Sequence, residues 1–270
     1  MTGSGNDFVL FDAIAHPLPG NISHEIVRSI CNRRNGIGAD GVVVLSSGAG
    51  VAARVSYYNA DGSLGELCGN ATLCSAAWCV SHQYAAPSGF TLLTDAGEVS
   101  ARHDAMPSAR LAPVAELDPT WTPTRLHAAE RRLGFARVGV PHVVVLVDDV
   151  STVDVAARGR ELRHDAGLGD AGANANFVSV DGSADHGFRM RTFERGVEAE
   201  TLACGTGAAA VAAMLVTWGV AAGPAVRLTT RSGRPLVVEL SRNSPDGPWS
   251  PLLTGEGRVV FEGRIGILGD

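Results

Sequence analysis

The order of apolar and polar positions divides the chain into two halves of the same design. In the first half Phe8 to Asp12 (FVLFD) is an apolar run that predicts a β-strand, and Glu25 to Arg33 predicts a helix. The glycine-rich stretch GIGADG feeds a second strand, Val42 to Leu45. Arg54 to Tyr58 is a third, running into a polar turn from Asn59 to Gly62. Gly69 to His82 is apolar nearly all round, the pattern of a helix packed on every side. The stretch FTLLTDAGEVSARH then predicts a hairpin with its turn at Asp95–Gly97.

The second half repeats this order. RVGVPHVVVLVDD contains a strand ending in a turn, and GANANFVSV is a turn followed by a strand. FRMRTFERG is a strand ending at Glu194–Gly196, Gly205 to Gly219 is the apolar helix, and VRLTTRSGRPLVVEL is another hairpin. Aligning Cys68 with Cys204 aligns the elements. Each half then reads as strand, polar turn, Cys-Gly-polar, apolar helix, hairpin. Such a duplication predicts two α/β domains facing each other across a cleft. Their linker is expected near Pro107 to Pro123, which is rich in proline and polar residues.

Composition narrows the class. The chain has 270 residues, 45% apolar and 19% charged, enough for a folded protein with a substantial core. A net charge of −6 argues against a broad nucleic-acid footprint. The N-terminus lacks the basic and apolar regions of a signal peptide, so a cytoplasmic location is expected. Thr201 to Val226 carries no charge and has the length of a membrane span. Its Ala, Gly and Thr content, with a helix break at Gly219–Pro224, instead predicts a core helix and no membrane partner. Five cysteines without a secretion signal imply reduced thiols. Cys68, Cys74 and Cys79 lack zinc-site spacing, and no phosphate-binding fingerprint is present.

The first turn of a helix presents unpaired N–H groups and the positive end of the helix dipole. Both stabilise a thiolate and attract a carboxylate. Gly69 and Gly205 allow close approach of a ligand, and Asn70 and Thr206 can add a hydrogen bond. A lone cysteine before a helix is usually a core residue, and Cys31, Cys74 and Cys79 are read that way. The paired placement of Cys68 and Cys204 favours chemistry. Two thiols facing one small substrate suit proton transfer at a carbon beside a carboxylate, one as base and the other as acid on the opposite face. Two helix N-termini would stabilise the developing charge, with neither metal nor pyridoxal cofactor called for.

These residues, taken with GNDF at Gly5–Phe8, GIGADG at Gly36–Gly41, NADGS at Asn59–Ser63, CGN at Cys68–Asn70, GVPH at Gly139–His142, GANANFV at Gly172–Val178 and ERGVEAETLACGTGA at Glu194–Ala208, give a chain that resembles the diaminopimelate epimerases from Gly5 to about Gly266. The resemblance implies interconversion of LL- and meso-2,6-diaminopimelate, in lysine and peptidoglycan precursor biosynthesis. It implies an α+β fold of two pseudo-symmetric domains, each a curved, mostly antiparallel sheet or half-barrel around a central helix. The expected bounds are 1–110 with a return strand at about 257–270, and 111–256. Carried over by position, Cys68 and Cys204 become the acid/base thiols. The N–H groups of Gly69, Asn70, Gly205 and Thr206 would hold the reacting carboxylate. Asn6, Asn59, Asn174 and Arg195 would read the distal end, with Glu194 near the distal ammonium, and His142 and Glu194 would tune the thiols. No cofactor is implied, and the chain is compatible with a homodimer.

On spacing alone Asn59 is an ordinary turn residue, Arg195 a surface charge and His142 a satisfied core histidine. The chain also departs from the family: Ala71, Thr72 and Leu73 replace a common Gly-Ala-Arg, Val140 stands where many members have an asparagine, and Gly41 where some have a glutamine. Three other readings stay open at this point: a cofactor-independent racemase of histidine or proline type, an isomerase of the phenazine-biosynthesis type, and an amino-acid-binding module without catalysis. Oxidation of the thiol pair to a disulfide would be a side reaction.

Overall fold

The computed structural model describes residues 1–18, 20, 22–122, 125–182 and 187–266. They divide into two compact units, Met1–Ala109 with the C-terminal stretch from Thr254, and Arg110–Leu253.

The first unit contains β1 (Thr2–Gly3), β2 (Asn6–Asp12), α1 (His24–Cys31), β3 (Gly41–Ser46), β4 (Ala53–Asn59), β5 (Leu64–Gly65), α2 (Gly69–Ser81), β6 (Phe90–Thr94) and β7 (Gly97–His103), and ends in β8 (Pro107–Arg110). In the second come β9 (Val114–Asp118), β10 (Glu130–Val138), β11 (Val140–Val147), α3 (Val155–Arg163), β12 (Asn174–Val180), β13 (Phe188–Glu194), β14 (Ala199–Thr201), α4 (Gly205–Thr217), β15 (Ala225–Thr229), β16 (Pro235–Ser241) and β17 (Ser250–Thr254).

The duplication is visible in the pairing. In the first unit β2 runs parallel to β3, β4 pairs antiparallel with β3 and β5 and parallel with β6, and β6–β7 is antiparallel. In the second unit β11 is parallel to β12, β13 is antiparallel to β12 and β14 and parallel to β15, and β15–β16 is antiparallel. In each unit most of the strand pairs are antiparallel. Each parallel pair β2–β3 and β11–β12 is bridged by a helix, α1 and α3, as a parallel crossover requires.

α2 and α4 are the central helices. α2 packs on β1, β3, β4 and β7, and α4 on β9, β10, β11, β12, β15 and β16. Small residues let the strands come close: a Cβ at Gly134 of β10 would lie 2.6 Å from the Met214 thioether. In α4 Ala208 through Leu215 are fully buried, which explains the uncharged run without a membrane. Among the described residues no helix is long and apolar enough to cross one.

The two helices also end alike. Val220 N donates to Leu215 O at 2.9 Å and Gly219 N to Val216 O at 3.1 Å, with Gly219 left-handed at φ +70°. Tyr84 N donates to Cys79 O at 2.8 Å and Gln83 N to Val80 O at 3.1 Å, with Gln83 at φ +62°. Both are left-handed C-terminal caps, and they stop the helices at Ser81 and Thr217, short of His82 and Gly219.

Three expectations are corrected. The chain passes between the units at Ala109–Arg110, inside the stretch from Pro107 to Pro123, but that stretch is structured: it forms β8, and β9 pairs antiparallel with β10, while Pro123 lies outside the described residues. The C-terminal stretch does return to the first unit, but from residue 257 to 266 it makes one β-bridge, Thr2 to Arg258, rather than a strand; residues 267–270 lie outside the described ones. The helix predicted to run to Arg33 ends at Cys31, with Asn32 extended as its cap.

Candidate active site

Cys68 caps the N-terminus of α2 in an extended conformation, φ −125° and ψ 115°, and is half-buried. Its carbonyl accepts the first helical hydrogen bond, from Thr72 N at 2.9 Å, and a second from Thr72 Oγ1 at 2.9 Å. Its side chain makes no cap hydrogen bond and packs against the apolar cluster of Phe8, Val43 and Ala71. Gly69 and Asn70 supply the first N–H groups of the helix, which have no carbonyl of the helix to bind.

Asn70 is 2% exposed, and its Nδ2 donates to Asn6 Oδ1 at 2.6 Å. Asn6 Nδ2 donates in turn to Asp40 Oδ2 at 2.9 Å. Arg33 closes the network with bonds to both oxygens of Asp7, at 2.9 and 2.8 Å, and to Asp40 at 2.6 Å. Partial burial pushes the Asp7 carboxyl up, but the Arg33 guanidinium and the Asp40 N–H outweigh it and leave it below its ordinary value. Asn59 ends β4 and holds its turn: its Nδ2 donates to Ser63 Oγ at 3.0 Å and its N–H to Ser63 O at 2.9 Å.

Cys204 caps α4 at φ −133° and ψ 112°, and is 8% exposed. Its Sγ accepts from Gly207 N at 3.4 Å and lies 3.6 Å from Thr206 Oγ1. The N–H groups of Gly205 and Thr206 stand in the same first turn.

Beneath this turn lies a buried polar layer. His142 of β11 is adjacent to Asn174 of β12 in the parallel ladder, and Asn176 lies opposite Thr192 of β13. His142 is fully buried, and burial first, then the Arg195 charge, depress its pKa to about 3, so the ring is neutral. Asn174 Nδ2 lies 3.4 Å and Asn176 Nδ2 3.3 Å from His142 Nδ1. Asn174 Oδ1 accepts the Arg195 N–H at 2.7 Å, which ties the end of β13 to the layer. Glu194 is the last residue of β13, half-buried, and its carbonyl accepts from Glu198 N at 2.8 Å. The corresponding layer under α2 has neither imidazole nor amide: Phe8, Val43 and Tyr57 occupy the positions of His142, Asn176 and Thr192.

Each unit thus gathers its share of the expected residues: Asn6, Gly69 and Asn70 around the first turn of α2, and His142, Asn174 and Arg195 in one buried network beside the turn that carries Gly205 and Thr206. Asn59 and Glu194 end the matched strands β4 and β13. The remaining thiols are core groups. Burial raises Cys31 to about 11 and Cys74 and Cys79 to about 12.

Sequence reasoning passed over Asn176 and Thr192. The signal was present in GANANFV, where Asn174 and Asn176 alternate with apolar residues and so share one face of the strand. It also passed over Arg33 and Asp40, which reach Asn6 only through the fold. Among the described residues no three His, Cys, Asp or Glu side chains are grouped so that they could hold a metal ion.

Comparison with known proteins follows the same lines. The family model for diaminopimelate epimerase matches residues 1–107 and 134–257. A diaminopimelate epimerase of Gemmatimonas aurantiaca is 48% identical over 271 residues, covering 98% of this chain and 97% of the relative. One from Chlorobaculum tepidum is 36% identical, covering 98% and 99%. Among solved structures a PhzF-family phenazine biosynthesis protein of Bacillus anthracis superposes with a TM-score of 0.71 at 13% identity, over 94% of this chain and 91% of the other. A probable proline racemase of Agrobacterium radiobacter superposes with a TM-score of 0.63 at 18% identity, over 94% and 88%. These two likenesses concern the fold. The family model and the near-full-length relatives carry the assignment: the chain belongs to the diaminopimelate epimerase family.

Proposed function

We propose that this diaminopimelate epimerase works by two-base proton transfer between Cys68 and Cys204. One observation carries the reading: two cysteines cap two buried helices at the same point of two units with the same strand pairing. The thiolate of one cysteine takes the α-proton, and the electron pair left on carbon delocalises into the carboxylate. The thiol of the other gives its proton to the opposite face and becomes the new thiolate. The N–H groups of Gly69, Asn70, Gly205 and Thr206 stabilise the charge that gathers on the carboxylate.

In this reading Asn6, Asn59, Asn174 and Arg195 bind the distal amino-acid end, with Glu194 beside its ammonium. The amide oxygens of Asn6 and Asn174 already accept bonds from Asn70 and from the Arg195 N–H, so a substrate would share them. His142 enters as a neutral group, and it and Glu194 tune the thiols. Protons alone are exchanged, so the reading assigns no step to a metal or pyridoxal cofactor.

The test is a substrate panel in deuterated water. LL-diaminopimelate, histidine and proline are incubated with the enzyme, and products are resolved by chiral chromatography and mass. The expected result is meso product carrying one deuterium from LL-diaminopimelate alone, lost in Cys68→Ala and in Cys204→Ala. Full activity in either variant would end the two-thiol reading.

A further inference from the structure

We propose that Asn176 is a positioning residue for the Cys204 half of the site, fixing the tautomer of His142 and seating the first turn of α4. The proposal rests on the reading of Cys204 as one of the two working thiols.

Asn176 is fully buried and all its described bonds are internal. Its Nδ2 donates to Val143 O at 3.1 Å, and its Oδ1 accepts from Thr192 Oγ1 at 3.0 Å. The Val143 carbonyl can only accept, so it settles which end of the amide is nitrogen. That nitrogen also faces His142 Nδ1 at 3.3 Å, beside Asn174 Nδ2 at 3.4 Å. An imidazole nitrogen approached by NH2 groups must offer a lone pair. The ring proton of neutral His142 therefore sits on Nε2. This buried N–H takes no partner among the described residues. An unpaired buried donor is costly and persists where a ligand or an ionised group uses it.

The other end of the amide meets the helix. A Cβ on residue 207 would run into Asn176 Oδ1, and would lie 3.2 Å from Cys204 Sγ. Gly207 is thus wedged between Asn176 and the thiol, and its own N–H holds that thiol at 3.4 Å. One side chain touches both the turn that carries Cys204 and the ring beneath it.

The sister unit shows that the fold itself does not demand an amide here. Val43 occupies the matched position, between Phe8 and Tyr57, and Ala71 replaces Gly207. Packing alone would be met by a valine. The imidazole–amide layer is a feature of the Cys204 half, and it makes the two thiols chemically unequal.

The experiment uses the full chain labelled with 15N-histidine. Two-bond 1H–15N correlation reads the protonation of each ring nitrogen, and His142 is assigned by its loss in His142→Gln. Wild type is expected to show Nδ1 bare and Nε2 protonated from pH 6 to 8. Asn176→Asp, which turns an acceptor toward Nδ1, should move the proton to Nδ1. Asn176→Val, which copies the sister unit, leaves Asn174 Nδ2 as the remaining donor on Nδ1 and should let a detectable fraction of the Nδ1-protonated tautomer appear. In both, kcat for LL-diaminopimelate should fall by about tenfold to a hundredfold with KM changed by less than about threefold. A wild-type tautomer and wild-type kcat in Asn176→Val overturn the proposal, as does a fall in kcat with the tautomer unchanged in both variants. Activity surviving in Cys204→Ala would instead overturn the thiol reading, and the tautomer spectrum would still report on Asn176.

Discussion

Asn70 donates its side-chain amide to Asn6 Oδ1 at 2.6 Å, joining the first turn of α2 to a strand 64 residues earlier. The bond is shielded on the Asn70 side, so losing it strands a buried donor or a half-buried acceptor. Asn70→Ala keeps the backbone N–H at the helix start and removes only the tie. It should lower stability by about 1–2 kcal/mol, as should Asn6→Ala. The double variant should cost less than the sum, because one bond is lost in all three. Urea denaturation of the four proteins measures this, and strict additivity would count against a direct bond.

The thiols should separate by reactivity. Burial raises Cys31 to about 11 and Cys74 and Cys79 to about 12. At pH 8 such groups are thiolate at about one part in a thousand or less. Iodoacetamide should therefore modify Cys68 and Cys204 in the native enzyme, with substrate slowing both. The other three should react only after unfolding. Peptide mapping by mass spectrometry decides, and native labelling of Cys74 at a comparable rate would contradict the assignment.

The elements that repeat were legible because each half carries the same local signals: apolar strand, polar turn, cysteine, small-residue helix. The helix starts at Gly69 and Gly205 followed directly from the Cys-Gly pattern. α3 was missed for a physical reason. Its stretch is polar and broken by Gly159, which reads as a loop. In the structure a Cβ at Gly159 would collide with Phe193, so that glycine serves helix packing. The Pro107–Pro123 stretch holds the unit boundary at Ala109–Arg110, but β8 and β9 within it were missed because short strands set among prolines and polar residues read as loop. The layer of His142, Asn176 and Thr192 was only half legible: the paired asparagines of GANANFV mark a polar face, but joining them to His142 and Thr192 depends on the register of three strands. Nor could local reading find Arg33 and Asp40 behind Asn6, since only the fold brings them there.

The asymmetry of the two helix starts gives a paired prediction. Gly207→Ala would gain about 1 kcal/mol in an exposed helix. Here the new methyl meets Asn176 Oδ1 and crowds Cys204 Sγ, so a net loss of about 1–3 kcal/mol is expected, with a fall in kcat. The matched change in the other unit, Ala71→Gly, has no such collision to relieve and should cost about 1 kcal/mol through helix propensity and lost burial. Thermal unfolding and steady-state kinetics of the two variants make the comparison. Equal effects would argue that the two helix starts are packed alike.

The helix caps differ in a way that can be exploited. Gly219 adopts its left-handed conformation without strain, whereas Gln83 carries a side chain at φ +62°. Gln83 is exposed, so little packing is lost on replacing it. Gln83→Gly should raise stability by about 1 kcal/mol with activity unchanged, read from the urea midpoint and kcat. A loss of stability would mean that the Gln83 side chain holds the cap in another way.

His142 makes stability depend on pH with a definite sign. Its pKa in the folded chain is about 3, below the ordinary histidine value of 6.5, because the ring is fully buried and Arg195 is near. The unfolded chain therefore binds the proton first as the pH falls. The contribution is absent above the ordinary value, and stability is lost progressively as the pH drops from 6.5 toward 3. Between pH 7.5 and pH 5 this one group should remove about 2 kcal/mol. Acid titration of carboxylates such as Asp7 also changes stability, but it is common to wild type and a His142→Gln variant. The difference between their pH profiles isolates the imidazole. His142→Gln should be less stable than wild type at pH 7.5, since the network with Asn174 and Asn176 is disturbed, and should close part of that gap by pH 5. Parallel profiles would show that His142 is not held neutral by burial, and the tautomer argument for Asn176 would lose its premise.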